Sequence, residues 1–124
     1  MKKILIVDDD KDLQQLYGQS LISAGYEVFH AYSGIEGLTL ASLHSPDLIL
    51  LDLMMPGGKN GFDVLERLRI DKKLSRLKVV VLTNLEGEDK IAKSLGVKDY
   101  ILKTNITALD LPNILKKQFS WLGL

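Results

Sequence analysis

The chain has 124 residues, 46% of them apolar, with sixteen acidic residues balanced by sixteen basic ones and no cysteine. That length suits one domain with a proper core, and the charge balance excludes the bulk field that draws a protein to nucleic acid or a membrane surface. The absence of cysteine excludes a disulfide framework, a thiolate metal site and a Cys nucleophile, and fits a reducing compartment.

The N-terminus, "MKKILIVDDD", has a basic start and an apolar run, but the run meets acid after Val7 and no small-residue cleavage site follows. It is therefore read as a strand, Lys3 to Val7, and not as a signal peptide. Leu13, Leu16, Tyr17, Leu21 and Ala24 then recur at helical spacing up to Gly25. Glu27 to Ala31 reads as a second strand. Ser33 and Glu36 form a capping box that opens a helix ending before Ser45-Pro46. Asp47 to Asp52, "DLILLD", is the third strand. A Gly- and Asn-rich turn, "PGGKNG", leads to a helix carrying Phe62, Leu65 and Leu68. Lys78 to Thr83, "KVVVLT", is the fourth strand, and a weak, charged helix follows around Glu88 to Leu95. Asp99 to Lys103, "DYILK", is the fifth strand, before a last helix with Leu111, Ile114, Leu115 and Phe119 on one face.

Five strands alternating with five helices imply right-handed crossovers and a parallel sheet covered on both sides. The middle strands are apolar throughout, as burial on both faces demands. No repeat or linker interrupts the pattern, and no segment approaches the apolar length of a membrane span. The expected architecture is one doubly wound α/β domain over residues 1–124.

Ligands of such folds bind outside the carboxyl ends of the strands, where strand order reverses. The first strand ends in Asp8, Asp9 and Asp10, the third in Asp52, the fourth in Thr83 and the fifth in Lys103. If these strands are neighbours, their polar ends meet on one rim. Two carboxylates 4 Å apart repel by about 4 kcal/mol at an effective dielectric near 20, so such a group recruits a cation or gains a proton. Hard oxygen donors with room for water describe a magnesium site awaiting phosphate. With a lysine and a hydroxyl added, the set supplies what phosphoryl transfer needs.

The motifs "ILIVDDD", "LLDLMMP", "VVVLTN" and "YILK", in this order and spacing, resemble the receiver domain of two-component response regulators, of the single-domain, chemotaxis-regulator-like kind. The resemblance covers essentially the whole chain. It implies a flavodoxin-like five-stranded sheet of order 2-1-3-4-5 and matches Asp52 to the phosphoacceptor. Asp9 matches the acid that binds Mg2+ (with Mn2+ as a substitute ion) directly, Asp8 matches its water-mediated partner, and the Met54 backbone carbonyl matches a further ligand. Thr83 matches the switch hydroxyl, Tyr100 the switch aromatic and Lys103 the phosphate-binding lysine. Asp10 reads as the cap of the first helix.

The resemblance also implies a phosphorylation-dependent switch that is not an enzyme, although it assists its own phosphorylation and dephosphorylation. Its donor would be a sensor histidine kinase or a histidine phosphotransfer protein. Its changing α4-β5-α5 face would act on a separate output protein. The expected setting is cytoplasmic, with no direct nucleic-acid binding, no membrane contact, and a monomer or a phosphorylation-dependent dimer.

The chain departs from the family pattern in three places. Thr104 replaces the usual proline after the lysine, Asn84 the usual small residue after the switch hydroxyl, and the turn "MPGGKNGF" is one residue longer than the common form. Met54 and Leu85, two positions beyond acceptor and switch hydroxyl, should order an attacking water poorly and slow hydrolysis. Rival readings remain open at this point. A magnesium phosphatase would carry a second Asp where Met54 stands, and a flavodoxin-like electron carrier would present neutral donors where three acids stand. A phosphorylation-independent receiver-like interaction module would keep the Lys103–acid pairing as a plain salt bridge. His30 and His44 read as structural or surface residues, and Trp121 as a cover for the last helix.

Overall fold

Strand β1 (Lys3–Val7) leads to helix α1 (Lys11–Ser23), and β2 (Glu27–Ala31) to α2 (Gly34–His44). Then come β3 (Leu48–Leu51), α3 (Gly61–Ile70), β4 (Lys78–Thr83), α4 (Asp89–Ser94), β5 (Asp99–Leu102) and α5 (Leu111–Lys116), with single 3-10 turns flanking α5. The structure is a computed structural model and describes residues 1–56 and 60–119. The long "PGGKNG" turn and Trp121 therefore fall partly or wholly outside the described residues.

All strand pairings are parallel, and the order is β2-β1-β3-β4-β5. Period-2 alternation divides the apolar strands between two cores. Leu5, Val7, Ile49, Leu51, Val79 and Val81 face α2, α3 and α4, whereas Ile4, Ile6, Leu48, Leu50, Val80 and Leu82 face α1 and α5. Every residue of β3 is buried, as a strand covered on both faces should be. From β1 the chain goes to β2 on one side and returns to β3 on the other, so the switch point lies between β1 and β3. That is the crevice where the acidic strand ends were expected.

The helix faces differ from expectation in places. In α1 the buried positions are Gln14, Tyr17, Gly18 and Leu21, while Leu16 is half exposed and Ala24 lies outside the core. The face is rotated because an amide and a glycine, invisible to an apolar count, turn inward. At α2, Ser33 Oγ accepts from Glu36 N–H (3.2 Å), but the Glu36 carboxylate accepts from Tyr32 N–H (2.8 Å), one residue short of a reciprocal box. Reciprocal boxes form instead at Asn60/Asp63, which opens α3, and at Thr107/Asp110, just before α5. Among the described residues every peptide bond is trans, including Lys103–Thr104, and no helix is long and apolar enough to cross a membrane.

Candidate functional site

The rim starts where each ladder ends. Asp8 N–H still pairs with the Ala31 carbonyl and Asp52 N–H with the Val7 carbonyl, each at 3.0 Å, so both residues are held in sheet geometry one position past their strands. Their side chains sink into the crevice: Asp8 is 3% and Asp52 4% exposed, whereas Asp9 is exposed at its edge. Burial of a carboxylate is costly unless its lone pairs are met, and here they are. Asp8 Oδ1 accepts from Asp10 N–H (2.9 Å) and Asp52 Oδ1 from Met54 N–H (3.0 Å). Asp10 caps α1, accepting from the Asp12 and Leu13 amides at 3.0 and 3.1 Å.

Lys103, arriving from the end of β5, bridges the two acids. Its Nζ lies 2.8 Å from Asp8 Oδ2 and 3.0 Å from Asp52 Oδ2, with its side chain only 10% exposed. Burial pulls the ammonium pKa down, but hydrogen bonds and charge from Asp8 and Asp52 outweigh that and hold it above the usual lysine value. Burial dominates at Asp8 and raises its carboxyl above the ordinary range, although Lys103 and the Asp10 amide pull it down. One ammonium therefore serves a buried acidic pair that is short of positive charge.

The acids also converge as a ligand set. One carboxylate oxygen from each of Asp8, Asp9 and Asp52 lies within 4.8 Å of the others. Three hard oxygens, one of them at the solvent edge, fit a small divalent ion that retains waters, such as Mg2+. The start of α3 presses against this site. A Cβ on Gly61 would stand 2.3 Å from the Asp52 carbonyl oxygen, so only glycine lets that helix approach the Asp52 backbone.

Thr83 is fully buried at the end of β4, and its Oγ1 accepts from Leu85 N–H at 3.2 Å. The Tyr100 hydroxyl donates to the carbonyl of the same residue, Leu85, and its ring packs against the core on the α2-α3-α4 side. Leu85 is thus gripped from both sides. Asn84 is exposed. With Tyr17, Lys103 and Thr104 it lines a cleft of about 240 Å³ beside the lysine. Met54 is 53% exposed, with no acid at its position.

The crevice thus brings together Asp8, Asp9, Asp52 and Lys103, with Thr83 at the neighbouring strand end. Sequence reasoning missed Gln14, a buried amide on α1 whose only cue was its failure to fit the apolar stripe. It also missed Arg69, whose guanidinium donates to the Leu95, Gly96, Ser75 and Leu77 carbonyls.

The model of the response regulator receiver domain matches residues 4–116. The curated transcriptional regulator RpaA of Synechocystis sp. is 44% identical over 105 residues, which cover 83% of this chain but only 43% of that protein. The polar-differentiation response regulator DivK of Brucella ovis is 31% identical over 124 residues, 98% of this chain and 97% of DivK. Among solved structures, the Mn2+-bound form of response regulator Rcp1 superposes with a TM-score of 0.80 at 28% identity, covering 96% of this chain and 94% of that one.

Proposed function

We propose that this chain, which belongs to the response regulator receiver domain family, is a switch set by transfer of a phosphoryl group to Asp52. Receiver domains are signalling proteins and not enzymes in the ordinary sense, and the family supports phosphorylation-based signalling in general terms. The finer reading rests chiefly on Lys103 held between Asp8 and Asp52 within a cluster suited to a divalent ion. The receiver unit is taken as residues 1–124.

Asp8, Asp9, Asp52 and the Met54 backbone carbonyl would hold Mg2+, and the Mn2+ bound by the related Rcp1 supports a divalent site here. Such an ion offsets carboxylate charge and draws electron density from phosphoryl oxygens. The protein's own groups do the rest. An Asp52 oxygen attacks the phosphorus of a phosphohistidine on a sensor kinase or phosphotransfer protein. The O–P bond forms as the P–N bond breaks, and the imidazole leaves with the electron pair and takes up a proton. Lys103 exchanges a carboxylate oxygen for a phosphoryl oxygen, following the negative charge. Hydrolysis reverses the acceptor bond: a water oxygen bonds to phosphorus as the Asp52 O–P bond breaks, releasing phosphate. The apolar side chains of Met54 and Leu85 leave that water poorly ordered and the phosphorylated form long-lived.

Thr83 and Tyr100 carry the signal to the α4-β5-α5 face, which acts on a separate output protein in the cytoplasm. RpaA is itself described as DNA-binding, but the shared segment is less than half of it, and the balanced charge of this chain supplies no general affinity for nucleic acid. Mass spectrometry after incubation with acetyl phosphate and Mg2+ tests the reading. Wild type should gain one phosphoryl group and Asp52→Asn none. Equal labelling of Asp52→Asn would place the acceptor elsewhere, and an unlabelled wild type would favour the phosphorylation-independent interaction module.

A further inference from the structure

Gln14 is 1% exposed on the inner face of α1, an uncommon place for an amide unless its bonds are met. Its Nε2 lies 2.7 Å from the Ala31 carbonyl, 3.0 Å from that of Ile6 and 3.1 Å from that of Asp8. Three acceptors gathered at one end require the NH2 group there, with one hydrogen shared. Oε1 then faces His30 Nδ1, which must carry a proton and donate. Burial holds the His30 pKa below its ordinary value, so the ring is neutral near pH 7. One turn along α1, Gly18 makes room for it: a Cβ there would stand 2.7 Å from His30 Cε1. Gln14, Gly18 and His30 therefore form one fitted unit between α1 and β2, and phosphoryl transfer uses none of them directly.

The unit ends on Asp8. Registered pairing between β1 and β2 stops at Val7 and Ala31, and the Asp8 peptide lies just beyond. Its N–H is held by the Ala31 carbonyl, and its C=O is met by Gln14. With both sides of the residue pinned, the direction of its Cα–Cβ bond is set, and from there the carboxylate reaches the Asp10 amide and Lys103. Resting on the reading of Asp8 and Asp9 as ligands, we infer that Gln14 is a positioning residue for divalent-cation binding. His30 orients its amide, and Gln14 in turn aims the Asp8 carboxylate.

Calorimetric titration of Mg2+ into the whole chain, compared among wild type, Gln14→Met and His30→Phe, tests this, with urea unfolding in EDTA run beside it. Outer-shell partners of metal ligands are typically worth tenfold or more in affinity, so Gln14→Met should raise the Kd about tenfold and His30→Phe about threefold. A Gln14→Met protein that loses urea stability but keeps the wild-type Kd would show a purely structural amide and overturn the inference. If Gln14→Met does not fold, His30→Phe decides, and an unchanged Kd there overturns it equally. A wild type that takes up no Mg2+ removes the metal reading and the inference with it. Binding by wild type and variants alike removes the inference alone.

Discussion

Lys103 is where charge, stability and chemistry meet. Its ammonium bonds two carboxylates that are each nearly buried, and removing one partner of such a group strands like charges in a poor dielectric. Lys103→Met should therefore destabilise the metal-free protein by about 3 kcal/mol, read as a fall in urea midpoint in EDTA. Because the folded protein holds this proton more tightly than the unfolded chain, the lysine's contribution is complete below the ordinary value of 10.5. It is lost as pH rises through the higher folded value, so wild type and variant should converge at strongly alkaline pH. On the proposed reading, a divalent ion in the same crevice would replace the missing positive charge. Saturating Mg2+ should thus narrow the deficit, because acids freed of Lys103 bind the ion more tightly than those of wild type, and each tenfold gain in affinity adds about 1.4 kcal/mol to the variant beyond what wild type gains. A deficit indifferent to Mg2+ would argue against a shared electrostatic site. The acids and the lysine were legible as strand-end residues because an ionisable group after an apolar run is conspicuous. Gln14 was not, since one uncharged amide inside a helix carries no periodic signal and its worth depends on three carbonyls from the ends of two other strands, β1 and β2.

Helix α4 is weakly secured. It spans Asp89–Ser94, has no side-chain cap at its start and buries only Ala92. A helix so short gains little from its own hydrogen bonds. Its far end is tied to the body by Arg69 of α3, whose guanidinium reaches Leu95 O at 2.6 Å and Gly96 O at 3.1 Å while also holding Ser75 and Leu77. Burial lowers the pKa of this arginine, yet five fixed donors make it well suited to gathering carbonyls. Arg69→Ala should destabilise the fold by about 2 kcal/mol, with charge-assisted hydrogen bonds lost and carbonyls left to water. Amide exchange over 89–96 should accelerate before that of the central strands. Uniform acceleration across the sheet would mean that Arg69 supports the whole domain and not α4 in particular. Sequence periodicity marked this helix as weak and charged but could not show what anchors it. The anchor lies 26 residues away on another element.

At the scale of the whole molecule, the continuously apolar middle strands foretold a two-sided sheet because successive side chains point to opposite faces and both must then be buried, as the division between the α1/α5 core and the α2/α3/α4 core bears out. What that pattern could not convey is the contact that joins the acidic rim to the β5 edge. The structure places Leu85 between them, its N–H given to Thr83 Oγ1 and its carbonyl receiving the Tyr100 hydroxyl. A phosphoryl oxygen that recruits the Thr83 hydroxyl would loosen the Leu85 amide, and the carbonyl on the same residue would carry the change to Tyr100 and the α4-β5-α5 face. The Tyr100 ring is packed against the core and partly buried. Adding beryllofluoride, a phosphoryl mimic, with Mg2+ should shift amide resonances at the acidic rim, at 84–86 and along that face. In Thr83→Ala the hydroxyl is absent and Leu85 N–H has lost its acceptor, at a cost of about 1 kcal/mol. The rim should still respond in that variant while the face stays still. Shifts confined to the rim in wild type, or a face that moves equally without the Thr83 hydroxyl, would show that Leu85 is not the link.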